Sequence, residues 1–189
     1  DILQACRRAG HPDRALLFGS TSKISFAGSG LAFIAGSKAN MGWAKSHLGF
    51  QTIGPDKLNQ LRHMIFFKDM SGIERHMQNH AAVLKPKFNA VQEVLDRELA
   101  GKGIAEWTRP TGGYFISINT RDGCARRVAQ LAAGAGVKLT PAGSTYPLGK
   151  DPCDRNIRIA PSFPSMADIH TAMEVLALSL ELAVLEKHQ

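Results

Sequence analysis

No apolar run in this chain approaches the roughly 20 residues that a membrane-spanning helix needs. The stretch Leu31 to Gly36 is short and flanked by glycine and lysine, so a soluble protein is expected. A charged stretch followed by an apolar core, the mark of a secretory leader, is also missing. The chain opens at Asp1, directly in polar, helix-compatible text, and reads as a fragment of a longer protein. Cysteine is scarce: Cys6, Cys124 and Cys153 are odd in number and far apart. That spacing excludes a disulfide framework and a paired-cysteine metal site, and it suits a reducing, cytoplasmic compartment. His76 and His80 stand four apart on one predicted helix face, but the glutamate of the zinc-protease motif and a third nearby ligand are missing. No metal is expected there, and an exposed or interface helix face is the reading.

What is present is enough apolar material, 44% of 189 residues, to bury a core in one or two domains. Basic side chains exceed acidic ones by 23 to 16, which raises the possibility of an anionic partner. The surplus is concentrated: residues 1–67 hold eight basic and three acidic side chains. No basic stripe with interleaved aromatics accompanies it, so no nucleic-acid partner is expected through this segment.

Asp1 to Gly10 reads as a helix end, with Gly10 where a C-terminal cap sits, followed by a turn at His11-Pro12-Asp13. Ala15 to Phe18 and Leu31 to Ala35 are apolar runs bounded by Gly and Ser, which predicts two buried strands of an α/β sheet. Asn40 to Phe50 is helix-like, and Pro55 opens a second helix running through Phe67. Ser71 to Leu99 keeps helical apolar spacing, with a kink or local break predicted at Pro86. Then come a strand at Ala105 to Trp107, a turn at Pro110 to Gly113 and a strand at Tyr114 to Ile118. A helix from about Cys124 to Ala135, a short strand near Val137 to Thr140, a strand at Asn156 to Ala160 and a helix from Met166 to Lys187 complete the chain.

Between the first two predicted strands lies a loop rich in Ser and Gly, from Gly19 to Gly30, with Lys23 as its one lysine. A loop lysine is ordinarily a solvated surface residue. A lysine amine becomes nucleophilic toward carbonyl compounds when desolvation or neighbouring cations lower its proton affinity, and hydroxyls and backbone N–H groups beside it can hold a phosphate.

Ser20-Thr21-Ser22-Lys23 with its Gly-rich strand entry, then Pro110-Thr111-Gly112-Gly113-Tyr114-Phe115, then Asn156-Ile157-Arg158-Ile159-Ala160 resembles the fold-type I pyridoxal-phosphate (PLP) dependent aminotransferases, in the order that family uses. More narrowly, Ser20 to Gly28 together with Ile53 to His63 is similar to a bacterial aspartate aminotransferase subgroup related to aminotransferase-like transcription regulators. The resemblance covers essentially the whole chain but only the C-terminal half of the family's. It implies an α/β fold: residues 1–67 would end the large PLP-binding domain, and 68–189 would be a long connecting helix and a small α+β domain. It implies PLP as cofactor, Lys23 as the catalytic, Schiff-base lysine, Ser20 as a contact of the cofactor phosphate, and Ser22 as a less certain helper. Arg158 matches the arginine that pairs with the substrate α-carboxylate. The implied activity is transamination of an acidic amino acid such as aspartate with 2-oxoglutarate by a ping-pong mechanism, in a homodimer. The alternatives are a PLP-binding effector domain of a transcription regulator and a non-catalytic fragment. One departure stands out. Many relatives carry a phosphate-binding arginine seven or eight residues after the lysine, where this chain has Gly30 and Leu31. The phosphate would then be met by groups around Ser20, Ser22 and Ser29 or by an arginine elsewhere.

Overall fold

The computed structural model describes residues 1–187. The chain divides into two compact units, Asp1–Ala81 and the remainder from Ala82 on, each built on its own antiparallel sheet.

In the first unit, α1 (Ile2–Arg8) is capped by the Asp1 carboxylate, which accepts from Leu3 N–H at 3.0 Å. Gly10, at φ +77°, ends it in the expected way. The N–H of His11 returns to Cys6 O and that of Gly10 to Arg7 O, satisfying carbonyls the helix leaves over. After a single 3₁₀ turn at Pro12–Arg14 come β1 (Leu16–Ser20) and β2 (Ala32–Gly36), paired antiparallel from Leu16↔Gly36 to Ser20↔Ala32. Within residues 1–187 the burial expected of these strands is not supplied: Phe18 is 69% and Phe33 58% exposed. A two-stranded ribbon has no neighbouring strand or layer over much of its surface, so apolar content alone does not bury it. Ser37 caps α2 (Lys38–Gln51), whose Asn40 amide ties back to Asp13 O and Ala15 O just before β1. Asp56 caps α3 (Lys57–Phe67) by accepting from Asn59 N–H. Pro55 therefore lies one residue outside the cap rather than inside the helix.

Helix α4 (Met70–Leu99) runs without a break through Pro86. Proline there removes one amide donor and leaves the Ala82 carbonyl without its helical partner. The helix's second half joins the other unit, where β3 (Ala105–Trp107), β4 (Ile116–Thr120) and β5 (Asn156–Ile159) form a sheet in the order β3-β4-β5. The helices α5 (Ala125–Gly134) and α6 (Met166–Lys187) complete it, α6 with the bounds that its sequence predicts. Ile116, Ile118, Ile157 and Ile159, alternate residues of two strands, face one core. Val91, Val94, Leu95 and Leu99 of α4 pack into it, as do Ala125 and Val128 of α5 and Ile169, Met173, Leu176 and Leu180 of α6, each set at helical spacing. Val137–Thr140 forms no strand. Val137 instead closes the end of α5, its N–H donating to Ala132 O at 2.8 Å, while Leu139 packs against the core as irregular chain. With its amide used by the helix end, the segment has no ladder to join.

Leu95 is fully buried at the centre of this cluster, whereas Leu178 of α6 is 66% exposed. Leu95→Ala is expected to cost about 3–4 kcal/mol of unfolding free energy and Leu178→Ala under about 0.5 kcal/mol, read from urea midpoints at constant slope.

Candidate active site

Residues 21–31 join β1 to β2 in a loop closed on itself. Thr21 N–H donates to Leu31 O at 2.8 Å, and Leu31 N–H donates to Thr21 Oγ1, also at 2.8 Å. The pair prolongs the ladder one step past Ser20↔Ala32, with a hydroxyl standing in for a carbonyl. Inside the clasp the backbone turns tightly, Ile24 N–H and Ser25 N–H both donating to Thr21 O, and turns again where Ser29 N–H donates to Phe26 O. Lys23 sits on the first of these turns with its side chain exposed. Next to it, Ser20 Oγ lies 2.7 Å from Ser22 Oγ and accepts from Ser22 N–H at 3.1 Å. Two hydroxyls thus converge at the end of β1, directly before the lysine.

The glycine at position 30 has a steric cause. A Cβ built there would stand 2.7 Å from Ser22 Cα and 2.8 Å from Ser22 N, both backbone atoms that cannot swing aside. No side chain, and so no arginine, fits at Gly30 in this loop. Leu31 lines a hollow with the apolar Ile24, Phe67 and Ile73, and with Lys68 and Asp69. A cation does reach the loop from another element: Arg62 Nη1 of α3 donates to Ser29 Oγ at 3.3 Å.

Beneath the loop lies a polar cluster that the residue pattern did not single out. His63 of α3 is buried, with Nδ1 2.9 Å from Asn59 O and Nε2 2.9 Å from Ser25 Oγ. Ser25 Oγ in turn lies 2.9 Å from Thr21 Oγ1. Asn59 Nδ2 donates to Ser29 O at 2.9 Å. The one signal available was a pair of polar residues four apart, Asn59 and His63, on the same face of α3 as the apolar Phe67. His76 of α4 packs its ring against Phe66 and Phe67, at 5.5 and 5.3 Å between centroids, and against His80 at 4.3 Å. Its Nε2 also lies 3.4 Å from Ser25 O of the lysine loop, and no metal-binding group of three occurs among the described residues.

In the second unit, β4 and β5 place Ser117 opposite Arg158. Because side chains alternate, Arg158 faces away from the Ile157 and Ile159 core. Its guanidinium lies over the Phe115 ring, 4.4 Å from the centroid, and its Nε is buried without a hydrogen-bond partner among the described residues. Arg158 also borders a hollow lined by Lys138, Thr140, Ala160, Pro161 and Pro164 together with the core residues Ile159, Ile169 and Met173. A buried guanidinium N–H without a partner is a donor suited to an anionic acceptor. Lys87 holds the rim, donating to Ser162 O at 2.9 Å and Pro164 O at 2.6 Å. The approach to β5 is ordered by buried Asp151, which accepts from the N–H groups of Cys153, Arg155 and Asn156 at 3.0, 2.8 and 2.8 Å. Burial pushes this carboxyl up, but the three backbone donors and nearby Arg155 outweigh it and hold the group below the usual carboxylate range.

Compared with known proteins, the whole chain, residues 1–189, matches the pattern of the aspartate amino-transferase family. The chain belongs to that family. It is 47% identical over 188 residues to an aspartate aminotransferase of Corynebacterium glutamicum, covering 100% of this chain and 44% of that one. It is 48% identical over 186 residues to a Mycolicibacterium smegmatis protein named as an aminotransferase, covering 98% of this chain and again 44% of the relative. The chain thus spans somewhat under half the length of the curated relatives it matches. A crystal structure of an aspartate transaminase from Corynebacterium glutamicum superposes with a TM-score of 0.96 at 47% identity, over 100% of this chain and 45% of that one. The fold alone is shared with the α-aminoadipate aminotransferase LysN of Thermus thermophilus, solved with N-(5'-phosphopyridoxyl)-L-leucine. There the TM-score is 0.77 at 21% identity, over 98% of this chain and 46% of that one. The α/β architecture expected from the sequence, the C-terminal part of the PLP-dependent transferase fold, is the one these structures share.

The Asp151 contacts yield a pH dependence with a definite sign. A carboxyl held low in the folded state stabilises above its unfolded value, near pH 4, and that contribution is lost as pH falls through the folded value. Asp151→Asn is expected to lower stability at pH 7 and to flatten its loss below about pH 4, measured by urea unfolding across pH.

Proposed function

We propose that this chain carries the cofactor-anchoring lysine and the carboxylate-binding arginine of a PLP-dependent aminotransferase. The substrates would be an acidic amino acid such as aspartate and 2-oxoglutarate, in a ping-pong cycle. In this reading the complete enzyme is a cytoplasmic homodimer. Residues 1–67 end its large PLP-binding domain, and 68–189 are its connecting helix and small domain. The observation that carries the reading is Lys23 on a turn clasped at both ends, with the Ser20 and Ser22 hydroxyls converging beside it. The name and 47% identity of the Corynebacterium relative support the substrate choice, and the three free cysteines agree with a reducing compartment.

The residues fit the cofactor. An aldehyde needs a primary amine, which Lys23 on its exposed turn offers. A phosphate needs donors, which the Ser20 and Ser22 hydroxyls offer, and the missing side chain at Gly30 keeps Ser22 in place. When bound, PLP would serve as an electron sink that stabilises negative charge at the substrate α-carbon. Lys23 Nζ would hold the cofactor at rest. The same nitrogen would serve as the base that takes the proton from the substrate α-carbon. Arg158 would orient the substrate through two parallel charged hydrogen bonds to the α-carboxylate. Phe115 against its guanidinium plane limits the directions that plane can take.

Two measurements on the full-length enzyme test these roles. After borohydride reduction, peptide mapping is expected to find the pyridoxyl label on Lys23; a label on Lys38 or Lys45 with Lys23 unmodified refutes the assignment. Arg158→Ala is expected to reduce kcat/KM for aspartate by the equivalent of about 2–4 kcal/mol while cofactor uptake persists. An unchanged kcat/KM removes Arg158 from substrate binding.

A further inference from the structure

The buried cluster under the Lys23 loop has no part in the chemistry described above, yet it touches that loop at its start, middle and end. Thr21 opens the loop and Leu31 closes it, joined through the Thr21 hydroxyl. That hydroxyl lies 2.9 Å from Ser25 Oγ, which also stands 3.0 Å from Thr21 O and 2.9 Å from His63 Nε2. One serine hydroxyl is therefore shared between the loop's first residue and the imidazole. At its other nitrogen the imidazole faces Asn59 O at 2.9 Å; a carbonyl only accepts, so Nδ1 carries a proton and donates. Asn59 returns to the loop through Ser29 O. Ser25, Asn59 and His63 are 8%, 9% and 7% exposed. With so little exposure, a broken bond leaves a polar group with poor access to water in its partner's place. The His63 ring is further held edge-on to Phe26, at 5.0 Å between centroids.

We propose that His63 is the positioning residue for Lys23: through Ser25 and Thr21 it holds the turn that presents the lysine amine. The claim rests on the reading of Lys23 as the cofactor lysine and goes beyond it by naming what sets the amine's approach. The step affected is capture of the cofactor, in which Lys23 Nζ adds to the aldehyde carbon, a C=N bond forms and the aldehyde oxygen leaves as water. A nucleophile held off its line of approach by about 1 Å loses rate steeply, by up to roughly a hundredfold.

The test uses the full-length protein with Ser25→Ala, Ser25→Thr, His63→Phe and the double variant Ser25→Ala with His63→Phe. Phenylalanine keeps a ring against Phe26 but offers no nitrogen, and threonine keeps the hydroxyl. Two quantities are read: hydrogen–deuterium exchange of the peptide spanning residues 21–31 in the cofactor-free protein, and the rate at which the visible absorption band grows after mixing with pyridoxal phosphate. Ser25→Ala and His63→Phe are expected to speed exchange across the loop and to slow capture by roughly tenfold or more. The double variant should be no slower than the slower single one, and Ser25→Thr should return both readings to near wild type. Unchanged exchange in the two disrupting variants overturns the proposal. So does faster exchange with an unchanged capture rate, which would make the cluster a matter of stability alone. If the wild-type protein takes up no cofactor at Lys23, the functional reading itself fails and His63 loses its role with it; normal wild-type capture with unaffected variants removes His63 alone.

Discussion

The reciprocal bonding of Thr21 and Leu31 is the constraint on which the lysine-bearing part of this protein depends. Two strands joined by a long loop ordinarily leave the loop free to wander, because each residue adds backbone freedom that nothing opposes. Here the ladder continues past the last strand pair, with a threonine hydroxyl in place of a backbone carbonyl, and the nine residues between are confined to a closed circuit. Each such bond is worth only about 1 kcal/mol net. Their effect comes from sharing atoms: Thr21 Oγ1 accepts from Leu31 and meets Ser25, and Ser25 meets His63. Loss of one partner strands the others, so the circuit opens as a unit rather than bond by bond.

The second unit solves a different problem with simpler means. The four core isoleucines of its strands and three helices cover one side of the sheet, and strict alternation sends Ser117, Asn119, Asn156 and Arg158 to the other. On that side Asn156 donates to Ser117 Oγ at 2.9 Å and Asn119 Oδ1 at 2.8 Å, and accepts from Thr145 Oγ1 at 2.7 Å. The neighbouring polar residues therefore satisfy one another, while Arg158 keeps a buried N–H unspent. Trp107 Nε1 on β3 and Gln92 Oε1 on α4 are likewise buried without a partner among the described residues.

Much of this was legible in the residue pattern. The spacing of Ile169, Met173, Leu176 and Leu180 is a local property of α6, and its helix bounds followed from it. The lysine loop was recognisable because its order of small residues is also local. Burial of β1 and β2 was not legible, since it depends on neighbours that an apolar run does not specify. Nor was Val137–Thr140, whose apolar character serves a helix end rather than a strand. The His63 cluster escaped for a related reason: Ser25 and His63 are 38 residues apart, and neither carries a sign that it meets the other. The absence of an arginine at positions 30 and 31 was plain in the sequence, but the Ser22 backbone that bars a side chain at position 30 was not.

That last contact ties two positions of the loop to one another. With Ser22 backbone atoms occupying the space of a Gly30 side chain, any replacement at that position meets the same clash. A larger residue there requires the backbone at Ser22 to move, and that movement would disturb the hydroxyl pair beside the lysine. The two serines and the glycine therefore behave as one mechanical unit, in which a change of volume at one end is felt as a change of hydrogen-bond geometry at the other.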